Sequence, residues 1–287
     1  MSTILEDDRV IGLQDAAIAE AAAQSDRRER FLGWAMPLGL ILLVLAVWEI
    51  GVWWNETPHY ILPGPILIIK TLFTDWHTLY PSLLVTLTIT FSALAIAIIG
   101  GVGLAVLFTL SKWVELSLFP FAVIAQVTPI IAIAPLILIY VDSTYAALLI
   151  CAWIVAFFPI LSNTTLGLNS ADHNLVNLFQ LYGASRWQML RYLRLPSAMP
   201  YFLGGLKIAG GLALIGAIVA EFAAGTAGTG SGLAYRILEA SYRLNIPRMF
   251  ASLILISISG ILIFFAFSLL SHMMLRKWHE SALKREN

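Results

Sequence analysis

Six stretches of this sequence are so long and apolar that only lipid can serve as their solvent. They run over about 33–54, 82–110, 115–140, 144–167, 198–223 and 249–275, and roughly 20 apolar residues suffice to cross a bilayer's hydrocarbon core. In lipid every backbone N–H and C=O must bond internally, so only helices or closed barrels span it. These stretches lack the alternation of a barrel strand. The pattern predicts an all-α, polytopic membrane protein with six transmembrane helices, the second long enough to tilt or project. Composition agrees: 12% of residues are charged, about half the share in an average soluble domain. Formal net charge is zero, so no basic footprint points to nucleic acid.

Three regions follow. Residues 1–30 are polar, with an Ala-rich middle and Asp26-Arg27-Arg28-Glu29-Arg30 at the end, and read as a cytoplasmic tail. Residues 31–278 form the transmembrane region and 279–287 a short C-terminal tail. The arginines before the first apolar run imitate a signal peptide. That run is too long for one, and no small-residue cleavage site follows, so it is expected to remain as an anchor. Arg27, Arg28, Arg30, Lys112, Arg186, Arg191, Arg194, Arg276, Lys277, Lys284 and Arg285 all fall on one side of the six-helix topology. The other side holds Lys70, Arg236, Arg243 and Arg248. The asymmetry places both termini in the cytoplasm.

The longest polar interruption, Asn169 to Pro196, carries its own helix punctuation. Ser170 is placed to cap a short helix running to about Tyr182, with Asp172 near the positive end of its dipole. Gly183 stands where a helix needs a left-handed terminating residue. Ser185 and Gln188 have the spacing of a capping box that opens a second short helix. Pro196 is expected to stop that helix, with Ser197 beginning the next. The result is a helix–turn–helix elbow outside the bilayer, between transmembrane helices four and five.

Gly183, nine residues and then Leu193-Arg194-Leu195-Pro196 resemble the EAA loop of ABC-importer permeases. The words GASRWQ and LPSAMPYF, VAEF at 219–222 and GTGSGLAY at 228–235 resemble the nitrate/sulfonate/taurine branch of that family. The acidic position of the loop is missing, since the E-A-A positions read Asn177-Leu178-Phe179. The resemblance implies a type I permease fold with a cytoplasmic coupling elbow. ABC ATPase subunits would grip it at Gly183, Ala184, Ser185, Arg186, Gln188, Leu193, Leu195 and Pro196. It also implies a periplasmic or lipoprotein substrate-binding protein and a second permease copy as partners. The solute expected from this branch is a small sulfonate-, nitrate- or bicarbonate-like anion or a vitamin precursor.

Other features bear on the pathway. Leu62-Pro63-Gly64-Pro65 forms an outer turn, followed by Ile66–Phe73, apolar on one face and suited to the membrane surface. The third run contains Pro120, Pro129 and Pro135, with Gln126 and Thr128 beside Pro129. It reads either as a kinked, pathway-lining helix or as a kink with local polar repair. Gly205, Ala209, Ala213 and Ala217 recur every four residues on the fifth helix and leave a groove for close helix packing or a subunit contact. Glu221 continues that row. It stands either at an outer gate or in a hydrogen bond to the Gly-rich segment around Gly225–Gly232.

No residue pattern supports covalent chemistry. There is no Walker A sequence, the five histidines are scattered, and the single Cys151 lies inside an apolar run. No cofactor, metal or catalytic residue is expected. Two function classes remain: a permease driven by separate ATPase subunits, or a self-sufficient secondary transporter or polytopic scaffold. Repeated halves and mid-membrane ion pairs would favour the second, and neither is visible.

Overall fold

The computed structural model describes residues 32, 33, 35–225 and 230–276; the tails 1–30 and 279–287 lie outside the described residues. The chain is all-α. It divides after Leu67 into two compact units.

The first unit contains α1, Ala35–Trp54, and the turn that follows it. The Glu49 carboxylate on α1 accepts the N–H of Ile66 at 3.0 Å, in the first turn of α2, Pro65–Thr74. A Cβ at Gly64 would fall 2.6 Å from that carboxylate. The Leu62–Pro65 turn therefore needs its glycine because a membrane-helix acid reaches across to cap the next helix.

The second unit is a bundle. Its long members are α3, Trp76–Leu110; α6, Thr144–Leu168; α9, Leu195–Ala224; and α11, Ile246–Leu275. Shorter helices are α4, Lys112–Val127; α5, Ile130–Tyr140; α7, His173–Leu181; α8, Arg186–Met189; and α10, Leu233–Tyr242. The core is stacked in three layers along α3, α6 and α9. Ile89, Ala93, Cys151, Ala152, Ala217 and Ala220 fill one end. Leu94, Ala97, Ala156, Ile160, Ala209 and Ala213 fill the middle. Ala105, Phe108, Leu161, Leu168, Leu190 and Ala198 fill the end nearest the elbow.

Alanine predominates because lipid supplies no hydrophobic drive between helices, so close van der Waals packing must hold them. A Cβ at Gly216 would sit 2.8 Å from the Ala152 Cα, and one at Gly205 2.8 Å from the Pro159 carbonyl. The Gly205/Ala209/Ala213/Ala217 row is thus consumed inside the chain, against α6 and α3. Ala209, Ala213 and Ala217 are wholly buried, which removes this row as a subunit contact.

The third apolar run is not one straight span. It breaks between α4 and α5, which meet at 103°. Thr128 is forced into extended backbone by the following Pro129, and its hydroxyl donates to the Ile124 carbonyl at 2.7 Å. Pro120 and Pro135 are tolerated within helices. Five helices are individually long and apolar enough to cross a membrane, and the bent pair makes a sixth if counted as one span.

Candidate functional site

The elbow is built from caps that local sequence dictates. Asp172, rather than Ser170, is the N-cap of α7: its Oδ1 accepts the Asn174 N–H at 2.7 Å. Ser170 instead turns back and donates to the Gly167 carbonyl, because α6 is still closing there. Gly183 ends α7 with φ of +66°. The Gly183 N–H bonds the Gln180 carbonyl and the Ala184 N–H the Phe179 carbonyl, the paired bonds of a Schellman termination. Ser185 and Gln188 form both halves of the capping box.

Pro196 does not stop α8. The helix runs on through a π segment, Leu190–Arg194, directly into α9, giving one continuous apolar helix from Arg186 to Ala224. A proline in a regular α-helix clashes with the carbonyl four residues earlier and leaves it unbonded. The wider π turn absorbs this: the Leu195 N–H reaches back five residues to the Leu190 carbonyl. The second arm of the elbow is therefore the extension of a membrane helix, and Ser197 lies inside it.

The elbow has an inner and an outer apolar face. Inside, Val176 and Phe179 of α7 pack on Ala171, Met189 and Leu193. Outside, Leu181 is 85% exposed, Tyr182 84%, Tyr192 65% and Trp187 63%. An open groove of about 440 Å³ runs among Leu178, Tyr182, Gly183, Ala184, Gln188 and Tyr192. Ser185, Arg186 and Leu195 are also exposed, whereas Leu193 is buried and Pro196 half-buried. The coupling set named from the sequence thus divides into surface groups and one internal anchor.

At the opposite end of α9, Glu221 is 2% exposed. Its Oε1 accepts from the Thr86 hydroxyl at 2.7 Å and its Oε2 from the Ala234 N–H at 3.0 Å. Thr86 Oγ1 in turn accepts the Leu233 N–H at 2.9 Å. Glu221 and Thr86 together satisfy the first N–H groups of α10, which its N-cap Gly232 cannot reach. A Cβ at Gly232 would land on the carboxyl itself. Next to this knot, Arg236 donates to the Ser82 hydroxyl and pairs with Glu239, Arg243 also pairs with Glu239, and Arg248 pairs with Asp75. Together these bonds tie α3, α9, α10 and α11.

Sequence reasoning missed Thr86, Ser82, Asp75, Glu239 and Glu49. One signal was available: Ser82, Thr86 and Thr90 recur every four residues on α3, and all three are buried. The pathway residues named from the sequence do not converge. Gln126 and Pro129 are exposed at the α4–α5 break with Thr128 between them, while Glu221 is locked in the knot at the end of α9.

A family model described as "Binding-protein-dependent transport system inner membrane component" matches residues 97–278, the span that holds the elbow and all of α6, α9, α10 and α11. The chain belongs to this family. The permease is 30% identical over 82% of its length to a probable ABC transporter permease protein of Haemophilus influenzae, covering 95% of that protein. It is 32% identical over 83% of its length to the formylaminopyrimidine transport permease of Halalkalibacterium halodurans, covering 94% of it. The riboflavin transport system permease of Chloroflexus aurantiacus is 31% identical over 86% of this chain and is covered over 90%. A solved chain from an amino acid ABC transporter superposes with a TM-score of 0.56 at 20% identity, covering 73% of the permease and 95% of that chain. At that identity the likeness speaks for the fold. The permease is the multi-pass membrane subunit of an ABC importer, a non-catalytic part that works with ATPase and substrate-binding partners.

Proposed function

We propose that the elbow, residues 169–196, is where the ATPase subunits grip the permease, with the elbow and both termini in the cytoplasm. The observation that carries this reading is the outer apolar face. Leu181 and Tyr182 are among the most exposed large side chains described, yet they sit on a polar excursion between membrane helices. Large aromatic and aliphatic groups exposed to water mark a protein partner. Orientation is supported by charge. Of the cations on the outer side, Arg236 and Arg243 share Glu239 and Arg248 pairs with Asp75, which offsets part of their charge. Arg186, Arg191 and Arg194 have no ion pair among the described residues. A Leu181→Ser/Tyr182→Ser variant should lose co-purifying ATPase at least tenfold with an unchanged melting temperature; full retention would refute the docking role. In a Cys151→Ala background, an impermeant maleimide should label Tyr242→Cys on intact cells and Ser185→Cys only after permeabilisation. The reverse pattern would overturn the orientation.

The solute is a small molecule handed over by an extracytoplasmic binding protein. Relatives at 31–32% identity carry formylaminopyrimidine and riboflavin in their names, and those named for sulfonates, bicarbonate and taurine are 27–29% identical. This ordering supports a nitrogen-heterocyclic vitamin precursor over an inorganic or sulfonate anion. Uptake of labelled pyrimidine and flavin compounds against labelled taurine, in cells with and without the permease, decides between them. A second permease copy would enclose the path, and the exposed α4–α5 break carrying Gln126 and Pro129 is one face open to it.

A further inference from the structure

A cavity of about 520 Å³ opens between the α3–α4 turn and the elbow, with Lys112, Arg186 and Arg194 on its wall. None of these cations has an ion pair among the described residues. The nearest acids by sequence are Glu115, one turn along α4, and Asp172, which caps α7; neither lines the cavity. Three like charges around one space repel each other unless an anion joins them. The start of α4 adds to the same field. Ser111 is its N-cap but makes no side-chain cap bond, and the acid in its first turn, Glu115, does not line the cavity.

Leu110, Trp113, Ala184, Met189 and Leu190 give the cavity an apolar side, and Thr109, Ser111 and Gln180 complete its wall. The cavity lies where α3, a helix long and apolar enough to cross a membrane, ends and α4 begins, which is where headgroups would meet hydrocarbon. Trp113 is 81% exposed, as suits a belt residue. Leu107 near the end of α3 and Leu116, one turn past Trp113 on α4, are also exposed and extend the apolar track on either side of the Ser111 turn.

We propose that this cavity is a headgroup site for an anionic phospholipid, its phosphate held by Lys112, Arg186 and Arg194 and its acyl chains lying along Trp113, Leu107 and Leu116. A soluble phosphate would need the cations but not the apolar track. A partner protein's acid would not need the site to sit at the membrane boundary. Membrane-surface cations each contribute about fivefold to binding of acidic lipid.

The assembled importer, purified in mild detergent, should retain phosphatidylglycerol over phosphatidylcholine by native mass spectrometry. Lys112→Gln/Arg194→Gln should lower that retention by about 25-fold, while Lys112→Arg/Arg194→Lys should keep it. In reconstituted vesicles, brominated phosphatidylglycerol should quench the Trp113 emission, read as the difference from Trp113→Phe, more than brominated phosphatidylcholine does. Equal quenching by the two lipids, undiminished retention in the Gln variant, or displacement of the lipid by millimolar inorganic phosphate would overturn the proposal. Neither readout involves ATPase binding, so the lipid site and the coupling role of the elbow fail separately.

Discussion

Replacing Thr86 with valine should cut the knot at the Glu221 end of the bundle. The hydroxyl donates to Glu221 at 2.7 Å and accepts the Leu233 N–H at 2.9 Å, in a side chain with no exposed surface. Valine keeps the branched shape and restricted χ1 but supplies neither bond. Two buried groups are then left wanting, the Leu233 N–H and one carboxylate oxygen. Each unsatisfied group costs about 1–3 kcal/mol, or about 2–6 kcal/mol for both. At about 2–4 °C per kcal/mol for a domain of this size, the melting temperature should fall by about 4–24 °C. Thr86→Ser keeps both bonds and loses one methyl, worth about 1 kcal/mol, so it should fall by only about 2–4 °C.

The assay is thermal unfolding of the detergent-solubilised permease, followed by tryptophan emission. A double variant with Glu221→Leu should lose less than the sum of its parts, because the two side chains share one bond. Thr86→Val as stable as Thr86→Ser would show that the hydroxyl does not hold α10. Additive losses in the double variant would show that Glu221 is held by something else.

Gly183→Ala meets no atom within 4 Å, so its cost is the left-handed backbone alone, about 1–2 kcal/mol. Gly183→Val should cost more and uncouple ATP hydrolysis from uptake without blocking membrane insertion; normal coupling in Gly183→Val would count against the elbow. Pro196→Ala restores an N–H and removes the need for the π turn, so it should raise stability slightly while impairing coupled transport, measured as solute moved per ATP. Ala213→Leu places three extra carbons in a wholly buried site between α9 and α6 and should destabilise the single chain by at least about 1–3 kcal/mol, visible as lower monodisperse yield before any assembly defect.

Features set by neighbours in sequence were legible without a structure. The apolar runs, the Ser185–Gln188 capping box and the Gly183 turn depend on residues a few positions apart, and local chemistry decides them. Features set by partners far along the chain were not. Ser170 and Asp172 are both good caps, and only the place where α6 ends selects Asp172. Pro196 reads as a stop by the usual rule, but a bundle that holds α8 and α9 in line makes a π turn cheaper than a break. The small-residue row marked a close contact without saying with what, and α6 of the same chain claims it. The Glu221 knot joins residues more than 130 positions apart, and its one sequence trace was the hydroxyl row on α3.

Continuity between elbow and membrane helix constrains how a stroke at one end can be felt at the other. Arg186 to Ala224 is one helix of 39 residues, about 58 Å long at 1.5 Å per residue. It carries Trp187 and Tyr192 of the exposed apolar face near one end and Glu221 near the other. α7 is clamped to its base by Val176 and Phe179 against Met189 and Leu193, so a push on α7 cannot leave α8 behind. α6 and α9 approach to backbone contact at Gly205 and Gly216, so they slide or separate only by opening voids that lipid cannot fill. Under the proposed coupling, α6, α9 and the elbow therefore move as a single body. The compliance must lie elsewhere in the second unit, and the α4–α5 junction fits that need. At its 103° turn the Thr128 N–H and hydroxyl both bond the Ile124 carbonyl within α4, and Pro129 has no N–H to carry the helical ladder across. A body that tilts against that joint changes the exposure of Gln126 and Pro129, the polar edge that a second copy would face.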